Sequence, residues 1–91
     1  MRLDATFQPG QHVVARMVGD ELVLLDYKGE VYYGLDAVGS RIWELLAGGA
    51  TIAAVIDTLA EEYAVAREDL QRDVERLIGE LQQCGLLLEN P

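Results

Sequence analysis

Cysteine and histidine are nearly missing from this chain: 91 residues include one of each, Cys84 and His12. A single cysteine rules out an internal disulfide, which fits a cytoplasmic protein. No Cys/His group has the spacing of a zinc site, so no metal is expected. The two residues stand about 70 positions apart, and nothing around them joins them as nucleophile and base. Cys84, near a predicted helix end, reads as a small buried apolar residue. Gly34 and Gly39 lie five apart without the lysine of a phosphate loop. No apolar run approaches the roughly 20 residues of a membrane span. Met1-Arg2-Leu3-Asp4 is acidic by its fourth residue with no long apolar stretch behind it, so no signal peptide is expected. The sequence calls for no catalytic residue and no cofactor.

Positive charge is also scarce. Seven basic residues face sixteen acidic ones, for a net charge of −9. Residues 1–35 carry −2 of this and residues 36–91 carry −7. That field repels nucleic acid and favours a basic or neutral partner, though it also serves solubility. The pairs Asp57/Glu61 and Asp69/Asp73 sit four apart on predicted helices and read as surface charge, not as a metal site.

What is present is a hydrophobic content of 51%, too high for a disordered tail. Residues 1–91 read as a single domain with one modest core. After a patternless residues 1–10, closed by the turn signal Pro9-Gly10, three short apolar runs follow: His12–Val18, Glu21–Tyr27 and Glu30–Leu35. Two-residue breaks at Gly19-Asp20 and Lys28-Gly29 make them an antiparallel meander. Gly19 suits a turn with positive φ at its first position.

The period then changes to a helical one. Asp36 is a natural N-cap. Val38, Ile42, Leu45 and Leu46, with Trp43 flanking, give the stripe of a first helix that ends at Gly48-Gly49. Thr51 caps a second helix with the stripe Ile52, Val55, Ile56 and Leu59. Ala66 opens a third with a poor cap; its stripe is Leu70, Val74, Leu77, Ile78 and Leu81, and Gly85 stops it. Leu86-Leu87-Leu88 should fold back on the core. Three strands followed by three helices indicate an α+β domain, in a winged helix-turn-helix-like arrangement. In such a fold the third helix would approach DNA. Here Arg67, Arg72 and Arg76 are outnumbered by Glu68, Asp69, Asp73, Glu75 and Glu80, which disfavours that role.

Residues 29–46 form the most informative passage: Gly-Glu-Val-Tyr-Tyr-Gly-Leu-Asp, then Ala-Val-Gly-Ser-Arg-Ile-Trp-Glu-Leu-Leu. It reads as a turn, an aromatic strand, a cap and an amphipathic helix. Nothing in it looks catalytic; it looks like a recognition surface, because a strand at a sheet edge can capture an extended peptide. Alternation puts Val31, Tyr33 and Leu35 on one face and Tyr32 and Gly34 on the other.

This passage, the order of elements and the ending Asp73-Val74…Leu81…Gly85-Leu86-Leu87 resemble the PqqD-like proteins over roughly residues 10–88. Those are leader-recognition elements for ribosomally made, modified peptides. The Arg-Ile-Trp-Glu-Leu-Leu helix is most similar to stand-alone members serving lasso peptide pathways. The resemblance implies a non-catalytic function. A precursor's leader peptide adds as a strand to the edge of the third strand, with apolar side chains in a cleft between that strand and the third helix. The domain then delivers it to a separate leader peptidase with a cysteine nucleophile, followed by an ATP-dependent cyclase. The family's peptide-binding positions fall on Val31, Tyr32, Tyr33, Gly34, Leu35, Leu70, Asp73, Val74 and Leu77. Each has a plainer reading. Val74 and Leu77 lie within a core stripe, the tyrosines are good strand formers, and Asp73 suits a solvated face; Trp43 reads as packing. A winged-helix DNA-binding regulator, or an enzyme subunit completed by a partner, are the competing readings.

Overall fold

The computed structural model describes residues 1–91. The meander forms as β2 (Val13–Val18), β3 (Glu21–Asp26) and β4 (Val31–Leu35), in the order β2-β3-β4 with both pairings antiparallel. Three helices follow: α1 (Ala37–Ala47), α2 (Ile52–Glu62) and α3 (Arg67–Gln83). The fold is α+β, as the pattern of runs indicated.

Local chemistry accounts for most boundaries. Gly19 has φ +63°, the left-handed turn residue between β2 and β3. Asp36 accepts from the Gly39 N–H at 2.8 Å, and Thr51 accepts from the Ala54 N–H at 3.1 Å. Each satisfies a first-turn donor that the helix leaves open. Ala66 starts α3 without a side-chain cap. Gly49 and Gly85, both at positive φ, follow the ends of α1 and α3.

Three features depart from the sequence reading. Residues 1–10 are not patternless: β1 (Phe7–Pro9) pairs antiparallel with β5 (Leu87–Glu89) in a second, two-stranded sheet. The second turn is not the two-residue Lys28-Gly29 break but spans Tyr27–Glu30. Its left-handed residue is Glu30, at φ +58°. Asp26 holds this turn by accepting from the Lys28 and Gly29 N–H groups at 3.0 and 2.9 Å, and those bonds hold its carboxyl below the usual range. Finally, α1 is rotated from its expected stripe. Gly39, Ser40, Ile42, Trp43 and Leu46 are buried, whereas Val38 is exposed and Leu45 half-buried. Trp43 is therefore part of the core, as read.

A single cluster of 18 buried apolar residues joins the layers. Leu22, Leu24 and Leu35 enter it from the sheet, all four stripe residues of α2 from one side, and Leu70, Val74, Ile78 and Leu81 from α3. Phe7 of β1, Leu87 of β5 and Leu86 just before β5 complete it. The N-terminal segment also closes the start of α2, where the Leu3 and Ala5 carbonyls accept from Ala53 and Ile52. Arg41 of α1 forks onto Glu62 of α2 at 2.8–3.2 Å. This pair raises the arginine and lowers the carboxyl pKa.

Gly10 marks the tightest backbone approach. A Cβ there would stand 2.6 Å from the Gly85 carbonyl oxygen, where the Gly10 N–H already bonds the Leu86 carbonyl at 3.1 Å. Gly10→Ala must push the chain off its C-terminal partner. It should destabilise the fold by about 1–3 kcal/mol in urea unfolding, the range for overpacked sites. A change below roughly 0.5 kcal/mol, the scale of ordinary surface substitutions, would mean that this contact does not anchor the termini.

Candidate functional site

The three-stranded sheet has two open edges, β2 and β4, since β3 occupies the middle. Of the two, only β4 contributes residues to a groove. This groove, of about 510 Å³, is lined by Tyr33 to Asp36 on the strand side and by Val38, Gly39 and Ile42 of α1. Asp73, Arg76, Leu77 and Glu80 of α3 form the opposite wall. The two long walls match. Three residue steps of strand at about 3.3 Å each give about 10 Å. Seven steps of helix at about 1.5 Å give nearly the same length.

The strand-to-helix junction explains how β4 and α1 come to share this groove. Leu35 is 2% exposed and anchors the end of β4 in the core. Its carbonyl accepts from the Ser40 hydroxyl at 3.3 Å, and the Asp36 cap turns the chain directly into α1. A Cβ on Gly39 would lie 3.2 Å from both Leu35 Cδ2 and Asp36 Oδ1, so the turn suits glycine.

Across the groove, the Tyr33 hydroxyl donates to the Glu80 carboxylate. The bond to Glu80 is the main cause that holds the phenol above the ordinary tyrosine range, because a carboxylate acceptor favours the protonated phenol. Partial burial and the charge of Glu80 act in the same direction. The base of the groove is apolar, from Leu35, Ile42 and Leu77, while Asp36, Asp73 and Glu80 leave its rim acidic. Arg76 is the one cation, 4.0 Å from Asp73 and largely exposed.

The residues singled out in the sequence divide into two groups. Tyr33, Gly34, Leu35, Asp73 and Leu77 line the groove together. Tyr32 stands on the opposite face of the sheet and is 74% exposed. Val31 is half-buried against the core and lies outside the lining. Leu70 and Val74 are buried, 5% and 0% exposed, and present no wall to the groove. The helix is turned so that this part of its stripe points inward and Leu77 sits at the margin. Of the wall expected from Leu70, Asp73, Val74 and Leu77, Asp73 and Leu77 line the groove, and Arg76 and Glu80 stand where Leu70 and Val74 were expected. Sequence reading missed Glu80 and Arg76. The offsets 73, 76/77 and 80 do mark one helical face, a signal hidden by their charge.

A second depression, of about 620 Å³, lies at Gln8, Gln11, His12 and Asp26, with Leu88 as its apolar side chain. His12 packs edge-on against Tyr27 there, ring centres 5.6 Å apart. No group of three or more His, Cys, Asp or Glu is arranged to hold a metal ion, and no helix is long and apolar enough to cross a membrane.

Comparison with known proteins gives a consistent picture. The family model for coenzyme PQQ synthesis protein D (PqqD) matches residues 21–87. The PqqA binding protein of Rhodopseudomonas palustris (strain ATCC BAA-98 / CGA009) is 35% identical over 54 residues, 59% of this chain. That match spans 53% of the relative's own length. The solved structure of TbiB1 in complex with the TbiA(beta) leader peptide is similar at 39% identity and a TM-score of 0.82, covering 88% of this chain and 93% of that one. Lasso peptide synthetase B1 complexed with the leader peptide is similar at 30% identity and a TM-score of 0.87, covering 92% and 99%.

The Tyr33 phenol offers a direct check of the groove geometry. In an absorbance titration it should ionise above the ordinary tyrosine range, because its carboxylate partner must be left facing a phenolate. Glu80→Ala should bring this late ionisation back toward the ordinary tyrosine range, and Tyr33→Phe should remove it. A late-ionising tyrosine that persists in Tyr33→Phe would place the coupled pair elsewhere.

Proposed function

The chain belongs to the PqqD family, and on that premise we propose that it binds the leader segment of a ribosomally made precursor peptide, in lasso peptide biosynthesis. The leader adds as a strand to the free edge of β4. The observation that carries this reading is the coincidence of an unpaired strand edge with a groove along the same strand. At β2 the edge is equally open, but none of Val13–Val18 lines a groove. Backbone hydrogen bonds of an added strand are tolerant of sequence, so selectivity falls to the side chains that enter the groove. Successive inward side chains of a strand are about 6.6 Å apart. A groove about 10 Å long on that scale therefore has room for two of them. The similarity to two leader-peptide complexes supports the assignment.

On this reading the protein acts by holding a peptide, not by chemistry on it. It presents the bound precursor to a separate leader peptidase with a cysteine nucleophile and then to a cyclase. Tyr33, Gly34, Leu35, Asp73 and Leu77 are the proposed contact residues, with Val31 and Tyr32 contributing backbone at the strand edge. Leu70 and Val74 support the groove from behind.

Two forces could hold the leader, and their sizes differ. Burying a large apolar side chain is worth roughly 1.5–3 kcal/mol. An exposed ion pair is worth about 0–1 kcal/mol. Apolar contacts should set the affinity, and the acidic rim should act mostly on the association rate. In calorimetric titration with a synthetic cognate leader, Tyr33→Ala should weaken binding about tenfold or more, which is ~1.4 kcal/mol. Asp69→Asn, on the exposed face of α3 outside the groove, should stay within about twofold. Added salt should weaken binding modestly. A steep salt dependence with Tyr33→Ala near neutral would place the docking surface on the acidic helix instead.

A further inference from the structure

Tyr33 and Glu80 are the last lining residues on their respective walls. On β4 the lining begins at Tyr33 and does not include Val31, the next residue on that face. On α3 it stops at Glu80 and includes neither Leu81 nor Cys84. The hydroxyl–carboxylate bond between them therefore lies across one end of the groove. At the other end, Asp36, Val38 and Gly39 open toward the start of α1.

We infer that Glu80 is a positioning residue for the bound peptide: its bond to Tyr33 is an end-stop that fixes the register of the strand added to β4. The inference rests on the strand-addition reading above. Strand pairing alone fixes register poorly, because the backbone bonds repeat along the edge. A slip by one residue would turn every inward side chain out to solvent, so the groove itself forbids it. A slip by two keeps the same side chains inward and is the competing arrangement. In the direction of Val31, a two-residue slip would drive an inward side chain into the space spanned by the Tyr33 ring and the Glu80 carboxylate. A charge-assisted bond between a half-buried ring and a helix side chain resists that displacement better than a neutral contact would. Toward α1 the peptide meets no such bar; the end-stop sets the limit of travel on the Val31 side, and burial of inward side chains on Leu35, Ile42 and Leu77 holds the strand against that limit. Glu80 is also well placed for a fixed geometry, since α3 is anchored on both sides of it by buried Ile78 and Leu81.

The test is the register of a bound synthetic leader, read by cross-strand proton–proton contacts between the leader and β4 in isotope-edited NMR. Wild-type protein and Glu80→Gln, which keeps an acceptor for the phenol, should each give one set of contacts. Glu80→Ala and Tyr33→Phe should still bind, within about tenfold of wild type by affinity, but give a second set displaced by two residues. Tyr33→Phe keeps the ring and guards against loss of folding in Glu80→Ala. A single unshifted set in both Glu80→Ala and Tyr33→Phe would overturn the end-stop while leaving strand addition intact. Absence of any contact between the leader and β4 in the wild-type protein would overturn strand addition itself.

Discussion

The junction between β4 and α1 is the constraint on which the recognition geometry depends. Leu35 locks the end of the strand into the core, Asp36 caps the helix, and Ser40 returns a hydrogen bond to the Leu35 carbonyl. Within six residues the chain passes from an edge strand to a helix with no freedom between them. β4 is thereby held against β3 on one side and left open on the other. Had the chain looped out between strand and helix, the groove wall would be mobile and its width undefined. The core behind this wall, from Ile42 and Trp43 of α1 to Val74 and Ile78 of α3, keeps the opposing helix at a fixed distance.

The distribution of charge follows a division of labour. Most of the net charge lies in the helical half, and three of its ion pairs are on exposed positions: Arg67 with Asp57, Arg72 with Asp69, Arg76 with Asp73. Pairs of that kind contribute little to stability. The apolar interior carries the fold, with Ser40 as its one buried polar side chain, bonded to a backbone carbonyl. The groove combines both characters, apolar at the base and acidic at the rim. A peptide that inserts apolar side chains gains burial there, while a rim of this sign discourages acidic competitors.

Features set by neighbouring residues could be read from the sequence. The Gly19 turn, the Asp36 and Thr51 caps, the stripe of α2 and the alternation along β4 each depend on a few adjacent positions. Features set by distant partners could not. β1 and β5 are three residues each and exist only because Phe7–Pro9 pairs with Leu87–Glu89 across the whole chain. Glu30 takes the left-handed position in a turn where glycine was available one residue earlier. On α3, five apolar residues define a stripe, but which of them reaches the groove depends on the helix's rotation against the sheet. That rotation buries Leu70 and Val74 and leaves Leu77 at the margin. The bond from Tyr33 to Glu80 joins residues 47 apart, and no local pattern marks it.

Amide hydrogen exchange measured with and without a cognate leader shows whether the peptide pairs with β4. Pairing to an added strand converts open backbone donors into hydrogen-bonded ones, which slows their exchange. With the leader bound, new protection should appear within Val31–Leu35 of β4, with β2 unchanged although its edge is equally free. Protection along Val13–Val18 instead, or a leader that binds without slowing any amide of β4, would contradict it.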